Sequence, residues 1–367
     1  MDNNFDSESS QSFGVQSASG NCCPGPTNPV QTPTPQAAPK KTSGWRIFLN
    51  ILLGFSVAGN ILLFLGVIGL SLALFGSYST FSSTFSPADA YIEQTLKEGS
   101  LQNKIAVINL EGIIDQQQSE HVRLQLEKAA DDQKVKALII RIDSPGGMVS
   151  SSDQIYYYIN RFRTEHDKPV IAMMQNIAAS GGYYSSVACQ HIIAEPTVIT
   201  GSIGVIMNHL VIKDLLEQKL GISPVTLKSG EKKDWPSLFE QTTEQQKQYL
   251  DQRVIQPAFQ RFLQVVCEGR KDKLSEEQVR QLADGGIYTA PQALENRLID
   301  QIGYMDDAIE LAEKLAGISD AGVVEYSPRR SIFSYLGAES ATGISLDKKT
   351  IETLLTPRLM YLWDGMR

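Results

Sequence analysis

The sequence predicts an α/β protein with a mainly parallel β-sheet, preceded by one transmembrane helix. Three observations support this fold class. From residue 104 onward, apolar β-branched segments alternate with helix-like segments, and glycine-rich turns follow two of them, an order typical of βαβ units. The apolar segments are nearly continuous, as expected of parallel strands covered on both faces. Before them, residues 47–75 contain no charged residue.

The first 44 residues differ in composition from the rest of the chain. They are rich in Ser, Gln, Asn, Gly and Pro, with proline-rich runs at 24–29 and 32–36. Such a segment has too little apolar surface to offset the entropy that it would lose on ordering. We therefore predict a disordered leader over residues 1–44.

The 29 uncharged residues at 47–75 are a candidate membrane span. A hydrocarbon core of roughly 30 Å needs about 20 apolar helical residues, so the stretch is long enough to cross once. A buried core helix seldom runs so long without a charge. The apolar region of a cleaved signal peptide is typically only about 7 to 15 residues long. We predict a transmembrane helix over residues 45–76.

The charges beside the span predict its orientation and the place of the net charge. Lys40, Lys41 and Arg46 precede the span, and the first charge after it is Asp89. The positive-inside rule puts the N-terminus in the cytoplasm and the domain on the periplasmic, extracytoplasmic side of the inner cell membrane. Three acidic and three basic residues cancel before Asp89, so the net charge of −8 belongs to that domain. This acidic balance excludes a dedicated nucleic-acid binder.

The remaining chain is predicted to contain one domain. We expect a linker or helix over residues 77–103, the domain over 104–328 and a C-terminal tail over 329–367. Strands are predicted at 104–110, 135–143 and 169–175, and helices at 120–131, 151–165, 242–268, 275–283 and 304–316. No internal repeat of the domain is found. The apolar end of the tail, residues 357–363, is expected to contact the domain or a neighbouring subunit.

Two glycine turns are candidate sites, because chemistry in such folds occurs at the carboxyl ends of the strands. One turn is Asp143-Ser-Pro-Gly-Gly147, and the other is the segment at 178–184 that contains Ser180. A serine before a helix often caps it, which contributes about 1 kcal/mol. Alternatively, small neighbours leave the Ser180 hydroxyl open, and the amides of Gly181 and of Gly146 or Gly147 could bind one developing oxyanion.

A nucleophilic serine needs a base. None of the four histidines lies in a glycine turn, which argues against a Ser-His-Asp triad. A lysine can replace histidine when its site is desolvated. Three lysines, Lys228, Lys232 and Lys233, cluster within residues 227–236. A solvated turn-forming loop is the alternative interpretation of this cluster.

Four glycine- or serine-containing sequence motifs follow one another along the chain. They are Ser144-Pro-Gly-Gly147, Ala179-Ser-Gly-Gly-Tyr183, Thr200-Gly-Ser-Ile-Gly-Val-Ile206 and Lys228-Ser-Gly-Glu-Lys-Lys-Asp234. This series resembles the signal peptide peptidase A family, which are membrane-anchored bacterial serine proteases with the Clp protease and crotonase-like fold. The resemblance runs from about residue 105 to 312, and the N-terminal span fits it as well.

The resemblance implies a role for each residue of the motifs. Ser180 is the expected nucleophile, Lys233 the general base, and Ser202 a hydrogen-bonding partner of the lysine amine. The amides of Gly146, its neighbour Gly147 and Gly181 are the expected oxyanion-binding groups. The additional Lys232 is a competitor for the base. Neighbouring side chains of an extended segment point to opposite faces, so only one of the two lysines can enter the site.

The resemblance also implies an activity and an assembly. The expected reaction is endopeptidase acyl transfer, with no metal, nucleotide or other cofactor. The expected substrates are signal peptides left in the membrane after cleavage and other hydrophobic peptides, bound in small apolar pockets. Because the chain has one catalytic unit, the resemblance implies a ring-like homo-oligomer in which neighbouring subunits supply the serine and the lysine of each site.

Two other functions compete with the protease. A crotonase-type acyl-CoA enzyme would share the fold but leaves the serine and lysine motifs and the span unexplained. A catalytically silent membrane scaffold is the second alternative. The sequence does not decide whether Cys189 and Cys267 form a disulfide.

Overall fold

A computed structural model describes residues 44–82, 90–329, 356–363 and 365 of the chain. The leader up to residue 43 and most of the predicted tail lie outside the described residues. The chain divides into two compact units, residues 1–79 and 80–367.

One long helix, α1 (Gly44–Ser82), begins in the first unit and ends three residues beyond its boundary. Its part from Gly44 to Leu72 is 29 residues long with a mean hydropathy of 2.4 and exposed side chains, which is long and apolar enough to cross a membrane. Asn60 Nδ2 donates to the Ser56 carbonyl over 2.8 Å, and Ser71 Oγ donates to the Val67 carbonyl over 2.7 Å. These polar side chains are therefore satisfied by their own helix, as a lipid environment requires.

The second unit is a sheet flanked by helices. Its strands are β1 (Tyr91–Lys97), β2 (Ser100–Ile114), β3 (Val135–Met148), β4 (Val170–Ala179), β5 (His191–Ala194), β6 (Ile199–Gly201), β7 (Ile206–Asn208), β8 (Ile287–Thr289), β9 (Gln301–Ile302), β10 (Ala321–Pro328) and β11 (Arg358–Leu362). Its helices are α2 (Gln116–Asp131), α3 (Val149–His166), α4 (Gly181–Ser186), α5 (Glu244–Leu250), α6 (Gln256–Gly269), α7 (Glu276–Leu282), α8 (Ala290–Glu295) and α9 (Met305–Ala316).

The strand order along the main path of the sheet is β1-β10-β2-β3-β4-β5-β9. All strands of this path except β1 pair with one another in parallel. Alternate residues of β3 enter two separate cores, Leu138 and Ile140 on one face and Ala137 and Ile139 on the other. This burial on both faces explains the continuous apolar run of the strand. The α/β class with a mainly parallel sheet is confirmed.

The parallel register of β3 and β4 brings the two glycine turns to one edge of the sheet. Ser144 is the ladder partner of Ala178. Each turn comes two residues later in its own strand, so the turns at Gly146 and at Ser180 lie side by side. β6 also joins this edge, because Ala179 pairs with Gly201.

The structure differs from the predicted domain boundaries at both ends of the second unit. Residues 91–97 and 100–103, expected to be a linker or a helix, are β1 and the start of β2. Among the strands that the structure describes, β1 pairs with β10 alone, at the sheet edge. Its side chains after Tyr91 are exposed, so it has no apolar alternation. At the other end, residues 358–362 of the predicted tail form β11 and belong to the sheet.

The helix predicted over 242–268 is interrupted. A π-helical turn, Asp251–Ile255, separates α5 from α6, and Pro257 lies in the first turn of α6. Proline has no backbone N–H to donate to the preceding turn, which accounts for the change of hydrogen-bond register.

Candidate active site

Ser180 has a strained backbone at the junction of β4 and α4. Its φ is 53° and its ψ is −112°, a region that residues with a side chain rarely adopt and that costs on the order of 1–3 kcal/mol. The surrounding structure holds this conformation: the Ser180 N–H donates to the Gly201 carbonyl over 2.7 Å, and the Ser180 carbonyl accepts from Tyr184 N–H over 2.8 Å.

The Ser180 side chain does not cap the helix that follows it. No cap hydrogen bond from its hydroxyl is formed, and no hydrogen bond joins this hydroxyl to any other residue that the structure describes. Ser180 is nevertheless buried, with 1% of its surface exposed. The capping interpretation therefore does not account for a serine in this conformation.

Ser202 directly follows the residue that holds Ser180. Gly201 accepts the Ser180 N–H, and the Ser202 N–H donates to the Gly286 carbonyl over 2.7 Å. Ser202 also has a positive φ, 51°. It lines one side of a 450 Å³ cavity together with Phe259, Leu362 and other residues. The fold thus brings the two predicted serines to the same place.

The glycines of the first turn permit a close backbone approach to the Ser180 turn. Gly146 has a φ of +99°, and a Cβ there would lie 2.7 Å from the Gly181 amide nitrogen and 2.0 Å from the Tyr361 carbonyl oxygen. The Gly146 N–H donates to Ser144 Oγ over 3.1 Å, and Ser144 Oγ donates to the Gly112 carbonyl over 2.6 Å. Gly147 is the ladder partner of Tyr361 in β11. All three predicted oxyanion-binding glycines therefore lie around this carbonyl.

The lysine loop distinguishes its three lysines. Lys228 forms an ion pair with Asp234 at 2.9 Å. The Lys232 ammonium lies 4.4 Å from the Tyr249 ring centroid and 5.7 Å from that of Trp235, a cation–π arrangement. Lys233 is exposed. Its backbone N–H donates to the Gly230 carbonyl over 3.1 Å, but within residues 90–329 no hydrogen bond or ion pair joins its ammonium to another group. The structure therefore does not connect Lys233 to Ser180 or Ser202 within one chain.

The segment before this loop exposes apolar side chains. They are Leu210, Leu215, Leu220, Ile222, Val225 and Leu227. The last two are 83% and 94% exposed, and apolar surface of this extent typically marks a binding interface.

No hydrogen bond described for a histidine involves Ser180. His191 pairs with Ile171 at the start of β4, about 25 Å from the other end of that strand at 3.3 Å per residue. His209 follows β7 and is hydrogen-bonded to Thr242 at 2.7 Å. His121 and His166 lie in α2 and α3.

The remaining candidate reactive groups are metal ligands and the two cysteines. Among the described residues, no group of three or more His, Cys, Asp or Glu side chains could hold a metal ion. Cys189 and Cys267 are free thiols. Burial raises the pKa of the Cys189 thiol to about 12, which makes it a poor nucleophile.

Sequence reasoning missed an aromatic cluster beside Ser180. The Tyr361 ring stacks on Tyr184 with centroids 4.9 Å apart and contacts Phe262 at 4.7 Å. Tyr361 belongs to the apolar end of the tail, whose contact with the domain was predicted without a location.

The parallel sheet, with a strained serine between glycine turns at its edge, defines a serine hydrolase with a Clp protease-like fold. A family model described as Clp protease matches residues 94–191, and one described as Peptidase family S49 matches residues 163–319. The chain is 34% identical over 297 residues to the putative signal peptide peptidase SppA of Enterococcus faecium, covering 75% of this chain and 85% of that protein.

Other relatives agree with this assignment. A putative protease of Synechocystis sp. is 40% identical over 219 residues, covering 60% of this chain and 76% of that protein. Protease 4 of Haemophilus influenzae is 35% identical over 270 residues, covering 70% of this chain and 42% of that protein. The chain belongs to peptidase family S49 and is a serine protease. The predicted family resemblance and enzyme class are confirmed.

Proposed function

We propose that this protein is a membrane-anchored endopeptidase that cleaves signal peptides and other hydrophobic peptides, with Ser180 as its nucleophile and Lys233 as its general base. The observation that carries the proposal is the strained, buried Ser180, whose hydroxyl makes no capping bond and lies beside glycine amides. The substrate class is supported by the relative named as a putative signal peptide peptidase.

The proposed reaction is acyl transfer in two steps. Ser180 Oγ forms a bond to the peptide carbonyl carbon while its proton passes to the neutral lysine amine. The carbonyl oxygen becomes an oxyanion bound by the amide of Gly181 and by that of Gly146 or Gly147. The Gly146 N–H donates to Ser144 Oγ in this structure, so it would have to leave that oxygen to take part. The C–N bond then breaks, and the lysine returns its proton to the leaving amine. Water hydrolyses the acyl-enzyme with the same lysine as base, and Ser180 is regenerated.

Lys233 is proposed to act on the Ser180 of a neighbouring subunit in a homo-oligomer. The side chains of Lys228 and Lys232 have partners in their own chain, whereas the exposed Lys233 ammonium has none among the residues described for this domain. The exposed apolar segment at 210–227 provides a surface on which a neighbour could pack. Burial of Lys233 in that interface would favour the neutral amine that a base requires.

The anchor is proposed to be α1, with its N-terminus in the cytoplasm. The support is the apolar length of the helix and the basic residues Lys40, Lys41 and Arg46 at its start. In this orientation the second unit meets its substrates on the extracytoplasmic side.

Hydrolysis of a signal peptide in detergent micelles tests the nucleophile. Ser180→Ala is expected to abolish hydrolysis of the peptide. Ser150→Ala, a matched change at an exposed serine, is expected to keep the wild-type rate. Wild-type activity in Ser180→Ala would overturn the proposal.

Co-expression of two inactive variants tests the shared site. Subunits carrying Ser180→Ala and subunits carrying Lys233→Ala, mixed at random in a head-to-tail ring, should regain about a quarter of the wild-type activity. If both residues of each site came from one chain, the mixture would stay inactive.

A further inference from the structure

The strand that leads to Ser180 contains a bulge a few residues before this serine. The ladder pairs on either side of the bulge are Ile142 with Met174 and Ser144 with Ala178. Between these pairs β3 has one residue, Asp143, whereas β4 has three, residues 175–177. Two additional residues keep the alternation of faces, but they displace the residues that follow by about 6.6 Å along the strand, at 3.3 Å per residue. The bulge therefore sets the level of Ser180 relative to the glycine turn after β3.

The bulge lies where β4 changes its neighbour on the other side. Up to Met174, β4 pairs with β5, and from Ile177 it pairs with β6. Neither Gln175 nor Asn176 has a ladder partner in the described sheet. Because strand pairing does not fix these two residues, their side chains are the groups that can hold the bulge in place.

Both side chains of the bulge are tied to a neighbouring strand. Asn176 has a φ of 44°, in the left-handed region that asparagine tolerates better than most residues. Its Nδ2 donates to Asp143 Oδ2 over 2.7 Å, and the carboxylate acceptor strengthens this bond. On the other side, Gln175 Nε2 donates to Glu195 Oε1, directly after β5, over 2.8 Å.

The hydrogen bond between Asn176 and Asp143 joins the two chain segments that lead to the reacting groups. Ser144, which follows Asp143, accepts the Gly146 N–H with its hydroxyl oxygen. On the other strand, Ser180 follows Asn176 by four residues. A displacement of about 1 Å between a nucleophile and the groups that act with it can lower the rate about 100-fold.

We propose that Asn176 and Asp143 are positioning residues. Their hydrogen bond fixes the bulge of β4 and thereby holds Ser180 level with the oxyanion-binding glycine turn. This inference rests on the proposed function of Ser180. Neither side chain takes part in the chemical step itself.

An exchange of donor and acceptor tests the pair in the full-length protein in detergent, with a signal peptide as substrate. In Asn176→Asp a second carboxylate faces Asp143, while aspartate still tolerates the positive φ. We expect kcat to fall about 10-fold or more with KM within about 2-fold of the wild type, because the geometry of attack changes and peptide binding does not. The double variant Asp143→Asn with Asn176→Asp again places a donor opposite an acceptor. It should therefore recover kcat to within about 3-fold of the wild type.

Two results of this exchange would overturn the proposal. One is a wild-type kcat in Asn176→Asp. The other is a double variant that is no more active than Asn176→Asp, because the hydrogen bond would then not be the cause of the loss.

Two controls separate positioning from added charge and from loss of the fold. Asn103→Asp adds the same charge near the start of β2 and should keep the wild-type kcat; an equal loss there would contradict the proposal. Since Asn176 is exposed, the thermal midpoint of Asn176→Asp should fall by no more than about 4 °C. A midpoint below the assay temperature would also contradict the proposal, because the pair would then hold the fold as a whole.

The proposed function is tested separately by Ser180→Ala. Turnover that persists in Ser180→Ala contradicts Ser180 as the nucleophile. If Ser180→Ala is inactive and Asn176→Asp is fully active, only the positioning role fails.

Discussion

The backbone N–H of Ser180 donates to the carbonyl oxygen of Gly201 over 2.7 Å. This single bond ties the end of β4 to the end of β6 and puts Ser202 next to the residue that holds Ser180. Both serines have positive φ values, 53° and 51°. Two strained polar residues joined in this way indicate a site whose geometry is maintained by the sheet beneath it.

Ser202→Ala tests the positioning role of the second serine. The variant is expected to lower kcat about 10- to 100-fold with little change in KM. The reason is that a hydrogen bond that orients the base is lost, while the substrate-binding site stays intact. Steady-state kinetics with a peptide substrate measure the split, and Ser150→Ala is the control. An unchanged kcat would show that Ser202 has only a structural role in its turn.

A pair of alanine variants distinguishes the roles of Lys232 and Lys233. Lys233→Ala should lower kcat by about 10²- to 10⁴-fold, the usual contribution of a general base. Lys232→Ala should keep its activity and lose about 0.5–1 kcal/mol of stability with its cation–π contacts. Kinetics and thermal unfolding of both variants measure these effects. The opposite assignment of activity loss would identify Lys232 as the base.

Gly146→Ala is expected to inactivate the enzyme. A Cβ at this position would collide with the Tyr361 carbonyl and approach the Gly181 amide, so the two turns must separate. Gly317→Ala is the matched control, because Gly317 also has a positive φ, +65°, but no atom lies near its Cβ position. That control should lose only about 1–2 kcal/mol of stability. Equal activity in both variants would contradict the close-approach argument.

Tyr361→Ala tests whether β11 obstructs the site. Removal of the buried ring should weaken the docking of the strand by about 3–5 kcal/mol, as for other buried aromatic residues. The serine should then react faster with a fluorophosphonate probe in the full-length protein. A labelling rate equal to that of the wild type would show that the strand does not limit access to Ser180.

The buried ion pair of Asp300 predicts an acid-sensitive fold. Burial alone would raise the pKa of this carboxyl, but hydrogen bonds and charges from Arg270 and Lys273 outweigh burial and lower it to about 2. Because the pKa is depressed in the folded state, the pair stabilises the protein above about pH 4, the pKa of an unfolded aspartate, and this contribution is lost as the pH falls toward 2. Urea unfolding between these pH values should show the loss, and Asp300→Asn should remove much of the slope.

The central strands and the two glycine turns of the candidate site could be predicted from the sequence, and the reasons are physical. β2, β3 and β4 are buried on both faces, so their apolar runs are visible in the sequence. β1 was missed because its edge position leaves its side chains exposed. β11 was missed because it pairs with Gly146–Met148, more than two hundred residues earlier, and such pairing leaves no local pattern. The motifs identified Ser180, but its positive φ and its uncapped hydroxyl emerge only from the fold.

The most direct test of Ser180 as nucleophile and Lys233 as its base is to map the covalent adduct of a fluorophosphonate probe by peptide mass spectrometry. We expect one adduct at Ser180 in the wild-type protein. This adduct should be retained in Lys232→Ala and lost in Lys233→Ala. An adduct on another serine, or labelling of Ser180 that is unchanged in Lys233→Ala, would contradict the assignment of Ser180 as nucleophile and Lys233 as its base.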